Sequence, residues 1–514
     1  MTPSETIDSP IQIRNRDGKR ELWLLKAAIG SMLIAVVGIL YVLVGPDILF
    51  QVERPYLIPW VIATGLVILA PVAYLKWKGQ FSLIHPLVYA GATYFFPMFF
   101  VGGWSLVFGL SNYYYLTFVN DPERDFPLTF LYIIVGFGAL SVGFLISPGR
   151  KIGERLSKRL PSKDLNWTEV FYGSFIFMIL GFYAMFVALD LGQIGYQTTG
   201  TVIGDFGSLN IYLAIIVPVS SFMLWIVFFR QQGWSVTKAL VLVAQIISAL
   251  FMLFVVGGKS GLIQSFVYLV GAYFLVRRKI LFRNWAWLGI GFSAALVFGT
   301  LYGTTFRALK GDITRISAAS YVELGFDTLT SVGEKGTAEE ISDGFYLLAE
   351  RFEIVSSLAV VVSNYEDLRQ YEAGYGIYNN IWEYTWTAFI PRFLWKDKPK
   401  IADNSAYNEL YFGYAGFGYA ITSMGDLLRN FGPFGVPAGM FLLGFVFRIF
   451  YAALIEGQPF SVWRSTVYFV VLSKISYESF YGEILPTAIR VAAIVVIQLL
   501  IIKLVSRILP FRRS

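Results

Sequence analysis

Between Pro391 and Pro399 the chain places Arg392, Lys396 and Lys398 around a single acid, Asp397. The prolines keep this stretch out of a helix. The cations are thus set in an irregular loop, a geometry suited to a pyrophosphate, although such loops also occur simply solvated. Upstream, Thr337-Ala338-Glu339-Glu340 has the form of a capping box. Ile341, Phe345, Leu348, Phe352, Val355, Ala359 and Val362 then follow at helical spacing. Projected at about 100° per residue, Arg351 joins Leu347, Ile354 and Leu358 inside the apolar arc, while Glu350 and Glu353 fall outside it. An arginine on a buried face needs a carboxylate or a phosphate, so Arg351 reads either as an internal salt bridge or as a phosphate clamp.

Other candidates lie nearby. Arg307 follows an apolar run and suits a snorkelling anchor as well as a ligand cation. Asp426, in Gly425-Asp426 ahead of Asn430-Phe431-Gly432, can serve as acid, base, cation partner or helix cap. Gly257-Gly258-Lys259-Ser260-Gly261 lacks the spacing and strand context of a nucleotide loop, which leaves Lys259 as a contact for a lipid phosphate. Tyr371, Tyr375, Tyr378, Trp382, Tyr384, Trp386 and Trp395 crowd one stretch. They fit an interfacial aromatic belt and equally a platform for sugars.

Composition narrows the chemistry. Cysteine is absent and His85 is the single histidine. Thiol catalysis, disulfides and Cys/His metal sites are therefore excluded, and no metal or cofactor is expected. His85, followed by Pro86, reads as a packing or interfacial residue. Any catalysis falls to carboxylates, arginines, lysines and tyrosines.

The elements that must position these groups are membrane helices. Of 514 residues, 56% are hydrophobic and 15% charged, against about 25% charged in soluble domains. The expected fold is an all-α polytopic membrane protein with about twelve spans, near 22–44, 56–75, 83–108, 126–146, 168–190, 208–229, 237–256, 260–276, 285–303, 433–455, 460–477 and 485–506. The polar N-tail lacks a signal cleavage pattern, so the first span is expected to stay as an anchor. Basic residues concentrate in the N-tail, in alternate connections such as Arg150 to Lys163, and in the C-tail. The positive-inside rule puts these in the cytoplasm. This gives a cytoplasmic tail 1–21, helices over 22–303, a large external helical loop over 304–432, helices over 433–506 and a cytoplasmic tail 507–514. The net charge of +7 is spread over short loops, which points to an anionic bilayer and not to nucleic acid.

Taken in order, the Gly-Lys-Ser-Gly turn, the Ile390-Pro391-Arg392…Trp395…Lys398-Pro399 signature and the Gly425-Asp426…Asn430-Phe431-Gly432…Gly435 stretch resemble the O-antigen polymerase superfamily, specifically the Wzy-type oligosaccharide repeat-unit polymerases. The layout of a dozen spans with one late external loop is similar too. Two positions depart from the pattern. Asp426 stands where the family commonly has glutamate and reaches less far, and Lys259 replaces an arginine and loses bidentate geometry.

The resemblance implies a GT-C-like glycosyltransferase of the bacterial inner membrane, with both termini cytoplasmic. It would polymerise undecaprenyl-pyrophosphate-linked oligosaccharides into O-antigen or exopolysaccharide at the outer face, alongside a chain-length regulator. Arg351, Arg392 and Asp426 would be catalytic. Lys259, Arg307, Lys396 and Lys398 would hold pyrophosphate. Trp382, Tyr384, Trp386 and Trp395 would bind sugar. Two alternatives stay open. A polysaccharide transporter or flippase predicts internal repeats and mid-span charge, and neither is evident in the sequence. An O-antigen ligase relies in the related family on an external histidine, and the outer segment has none.

Overall fold

A computed structural model describes residues 52–111, 113–190, 215–256, 259–277, 318–334, 349–378, 380–387, 403–414 and 420–508, with scattered positions between 291 and 311 and at 390 and 395. All regular structure among the described residues is helical. Among the described residues seven helices are long and apolar enough to cross a membrane. They are α1 (Pro55–Trp77), α2 (Pro86–Val107), α3 (Pro122–Leu145), α5 (Trp167–Asp190), α7 (Val236–Val256), α14 (Gly435–Leu454) and α16 (Tyr481–Ile508). Between them lie α4 (Ser147–Arg159), α6 (Ile216–Arg230), α8 (Lys259–Arg277), α9 (Ala318–Glu334), α10 (Val355–Leu368), α11 (Asn380–Thr387), α12 (Asn404–Phe412), α13 (Ser423–Phe431) and α15 (Val462–Ser473).

Ten of the twelve expected spans fall on apolar helices, three of them on the shorter α6, α8 and α15. The span expected at 22–44 and the N-terminal tail lie outside the described residues, as do most of the span expected at 285–303 and most of the C-terminal tail.

Two apolar cores divide the bundle. In the first, α1, α2, α3, α10, α13 and α14 enclose Phe95, Phe99, Phe130, Phe137, Leu358 and Leu428. In the second, α5, α6, α8, α15 and α16 enclose Val219, Phe222, Tyr268, Phe469 and Val495. Ile475 and Tyr451 pack against both. Glycines set the closest crossing. A Cβ on Gly143 would lie 2.1 Å from Phe441 O, and one on Gly444 would lie 2.0 Å from Leu140 O. Such close backbone approach suits helices that gain little from hydrophobicity alone. Polar side chains add interhelical links: Gln498 Nε2 donates to Ser220 Oγ at 2.8 Å, and Ser221 Oγ donates to Gln245 Oε1 at 2.6 Å.

The helix expected through Arg351 is broken. The chain leaves helical geometry at Glu353–Ile354 and re-enters it as α10. The break has a local cause, since Glu353 Oε1 accepts from Ser356 N at 2.8 Å and so caps α10. It also reverses the expected faces. The Arg351 side chain is 59% exposed, while Glu353 is 1% exposed.

The span expected at 460–477 is cut short as well. α15 has 12 residues, or about 18 Å of helix, against a hydrocarbon layer of about 30 Å. It stops at Ser473, and the chain runs non-helically until α16 begins at Tyr481. This interruption sits deep in the bundle. Tyr477 stacks on Tyr94 of α2 at 5.3 Å and meets Phe95 at 5.1 Å, and Tyr94 OH donates to Tyr477 O at 3.1 Å.

Candidate functional site

The N-terminal ends of α1 and α3 and the C-terminal end of α2 gather at one end of the bundle, and α14 and α16 begin deeper inside it. α10 and α13 are wedged among them. Asn120 Nδ2 donates to Asn364 Oδ1 at 3.1 Å, tying α10 to the start of α3. Ser423 N donates to Tyr477 O at 2.9 Å, tying α13 to the interruption between α15 and α16. Thr422, just before α13, is buried with φ of +61°. A β-branched residue there is strained. It is held by Thr422 N donating to Glu478 O and by Thr422 Oγ1 accepting from Gly425 N.

At the interruption Arg351 Nη2 faces Glu478 Oε2 at 3.6 Å. Glu478 is 29% exposed and Arg351 more so. Both approach Tyr94, which lies midway along α2. Charge at this depth is costly unless it lines a polar cleft. A 3.6 Å contact between open side chains is weak, so the Arg351 guanidinium stays available to an incoming anion.

Next to this pair lies a closed polar cluster, joined to it through Thr422 N donating to Glu478 O. Arg429 Nη2 donates to Asp426 Oδ1 at 2.7 Å and to Asn380 Oδ1 at 2.9 Å. Arg429 Nη1 donates to Ile377 O and lies 3.3 Å from Glu372 Oε1. Asn430 Nδ2 and Gly482 N also donate to Asp426, and Tyr411 OH donates to Glu372 at 3.0 Å. Asp426, Arg429 and Glu372 are all fully buried. Burial pushes the Asp426 and Glu372 carboxyls above their ordinary range, opposed by Arg429. Burial works against the Arg429 charge, but Asp426 and Glu372 more than offset it and raise its pKa. Of the roles open to Asp426, the geometry displays that of a cation partner. It presents no surface to a substrate.

The aromatic stretch divides. Trp382 and Trp386, one turn apart on α11, are both exposed. Trp386 stacks on Trp395 with centroids 6.1 Å apart and planes at 26°, and Trp382 meets Phe431 edge-on at 6.1 Å. Trp382 and Trp386 thus present open ring surface on α11. Tyr384 belongs to α11 by its backbone, and Lys259 begins α8. The side chains of both, and the whole of Arg307, Arg392, Lys396 and Lys398, lie outside the described residues. His85 is buried between Phe144 and Tyr451 with ring centroids at 4.6 and 5.0 Å, as a packing residue would be.

The sequence reading missed Glu478, Glu372 and Arg429. The acids of Tyr477-Glu478-Ser479-Phe480-Tyr481-Gly482-Glu483 between two apolar runs were the available signal for the first. No group of three or more metal-ligating side chains occurs among the described residues. Compared with family models, curated proteins and solved structures, the chain matches none of them.

Proposed function

We propose that the chain is a membrane-embedded glycosyltransferase that joins oligosaccharide repeat units carried on undecaprenyl pyrophosphate, at the outer face of a bacterial inner membrane. The observation that carries this reading is Arg351, an open guanidinium beside the interrupted α15–α16 connection. The exposed Trp382 and Trp386 rings, with Trp395 stacked on Trp386, support it, since flat faces suit sugar rings. The resemblance of the 257–445 stretch to repeat-unit polymerases supplies the reaction.

In this reading the lipid pyrophosphate of the donor meets Arg351, joined by Arg392, Lys396 and Lys398. A hydroxyl of the acceptor unit forms a new C–O bond at the donor's anomeric carbon. The bond from that carbon to the pyrophosphate oxygen breaks, and the lipid pyrophosphate leaves with the electron pair. Cations facing the leaving oxygens stabilise the charge as it develops. The acceptor hydroxyl loses its proton in the same step. Asp426, expected from sequence to take it, is walled in by Arg429, Asn430 and Gly482. Glu478, the open carboxylate beside Arg351, is the proton acceptor in this reading.

The test uses purified protein in proteoliposomes supplied with lipid-linked repeat units. The expected product is a ladder of polymer, absent with Arg351→Ala. A full ladder from Arg351→Ala would remove the phosphate-clamp assignment.

One observation favours a second reading. A short helix that stops at a charged, non-helical stretch inside the bundle is a transporter device, and α15 followed by residues 474–480 has that form. In the same vesicles a transporter would move lipid-linked units between leaflets without lengthening them.

A further inference from the structure

Away from the Arg351–Glu478 pair, where α3 ends, α4 presents three faces. Gly149, Gly153 and Ser157 are buried. A Cβ on Gly153 would lie 2.6 Å from Ile449 O, and Ser157 Oγ accepts from Arg464 Nη1 at 2.8 Å. This face is spent on α14 and α15. On one flank Arg150 pairs with Glu154 at 2.8 Å and faces Glu456, which also binds Arg448. That flank is neutralised within the protein.

The other flank is different. Ile152 and Leu156 are 39% and 42% exposed. Next to them Lys151, Arg155, Lys158 and Arg159 are all exposed, and none forms an ion pair with a described residue. At about 100° per residue these four cations fill one continuous arc of about 100°, bordered by the two apolar side chains. The arc follows directly on α3, whose Val142 and Leu145 are also exposed near its end. Ile146 and Pro148 break the helix between them.

We propose that this flank of α4 is a binding site for acidic phospholipid. Ile152 and Leu156 enter the boundary of the acyl layer, and Lys151, Arg155, Lys158 and Arg159 hold the phosphate-bearing headgroups. Apolar side chains beside unpaired cations, at the foot of spanning helices, match a lipid surface. An acidic soluble partner would have no use for an apolar stripe that follows on from the exposed end of α3. The site is independent of the glycosyltransferase reading, because it uses none of that reading's residues.

The full chain is reconstituted into nanodiscs of phosphatidylcholine mixed equally with phosphatidylglycerol, then repurified in detergent, and the retained lipid is quantified. Wild type keeps phosphatidylglycerol in preference to phosphatidylcholine. The preference falls by roughly tenfold or more when Lys151, Arg155, Lys158 and Arg159 are all changed to Gln. Exchanging the two lysines for arginine preserves it. Because the chain lacks cysteine, a spin label on Ile152→Cys reports position directly. It collides with dissolved oxygen more than with a water-soluble nickel chelate, and a label on Lys158→Cys shows the reverse. Equal retention of the two lipids, an unchanged preference in the glutamine variant, or a water-exposed label at 152 overturns the proposal. Loss of retained lipid to inorganic phosphate, beyond that caused by chloride at equal ionic strength, also overturns it, because the site would then be one for small anions.

Discussion

Asp426 Oδ1 accepts a hydrogen bond from Arg429 Nη2 at 2.7 Å, with neither side chain open to solvent. Glu372 shares the same guanidinium from the turn that precedes α11. The cluster therefore ties three places together: α13, the 372–380 turn and the first residues of α16. Removing one member of a buried pair strands the other, at a cost of about 3–5 kcal/mol. Arg429→Ala is expected to lower the melting temperature sharply and cut the yield of folded protein. Asp426→Asn keeps an oxygen for Nη2 and leaves Glu372 as the counter-charge. It is expected to fold and to extend chains within about tenfold of wild type. If Asp426→Asn melted normally yet made no polymer, Asp426 would be the catalytic base after all.

Glu478 makes the opposite prediction. It is partly open, its contact with Arg351 is long, and little folding energy rests on it. Glu478→Gln is expected to leave the melting temperature unchanged. As proton acceptor its loss lowers kcat by roughly 10²–10⁴. KM for the lipid-linked unit does not rise, because a negative charge beside the pyrophosphate site has gone. Initial rates at varied donor concentration separate the two parameters. A raised KM with normal kcat would mean that Glu478 only orients Arg351.

Apolar runs of about 20 residues announced most of the long helices, because burial of a whole turn-by-turn surface is written in composition. The interruptions were harder to see. Neither proline nor glycine marks Glu353–Ile354; the break depends on a carboxylate turning back to Ser356 N. Projection on an unbroken helix consequently exchanged the faces of Arg351 and Glu353. Likewise α15 ends on the apolar run Val467–Leu472, and only the packing of Tyr477, just beyond it, against Tyr94 and Phe95 shows that it stops inside the bundle. Asp426 was noticed, but Glu372 lies far away in sequence and meets it only through Arg429.

Glu353 gives the fold a pH dependence. Burial pushes its carboxyl up to about 7 from 4.5, partly opposed by hydrogen bonds from Ser356. A raised carboxyl binds its proton more tightly in the folded chain than in the unfolded one. Its contribution is therefore fully present below the unfolded value and is lost as pH rises through about 7. The loss is on the order of 3 kcal/mol. Glu353→Gln keeps an oxygen to cap α10 and cannot ionise. It is expected to melt like wild type at acidic pH and higher than wild type in mildly alkaline buffer. Parallel melting curves for the two proteins at or above pH neutrality would show that Glu353 is already neutralised by a partner.

Gly102 links α2 to the segment that follows Arg351. A Cβ at this position in α2 would lie 2.3 Å from Phe352 O and 3.0 Å from Glu353 Cα. Backbone atoms cannot swing away as a flexible side chain can, so Gly102→Ala must push the 352–353 segment off α2. Overpacking of this kind costs about 1–3 kcal/mol. Because Arg351 precedes that segment directly, the displacement should also weaken its hold on an anionic ligand. The expected result is a folded protein with a lower melting temperature and a raised KM for the lipid-linked unit. Gly138→Ala in α3 is the control, since nothing lies within 4 Å of a Cβ there. It should match or slightly exceed wild-type stability through better helix propensity, by up to about 1 kcal/mol, with KM unchanged. If Gly102→Ala shifted stability but left KM at the wild-type value, Arg351 would not depend on the α2 contact for its position.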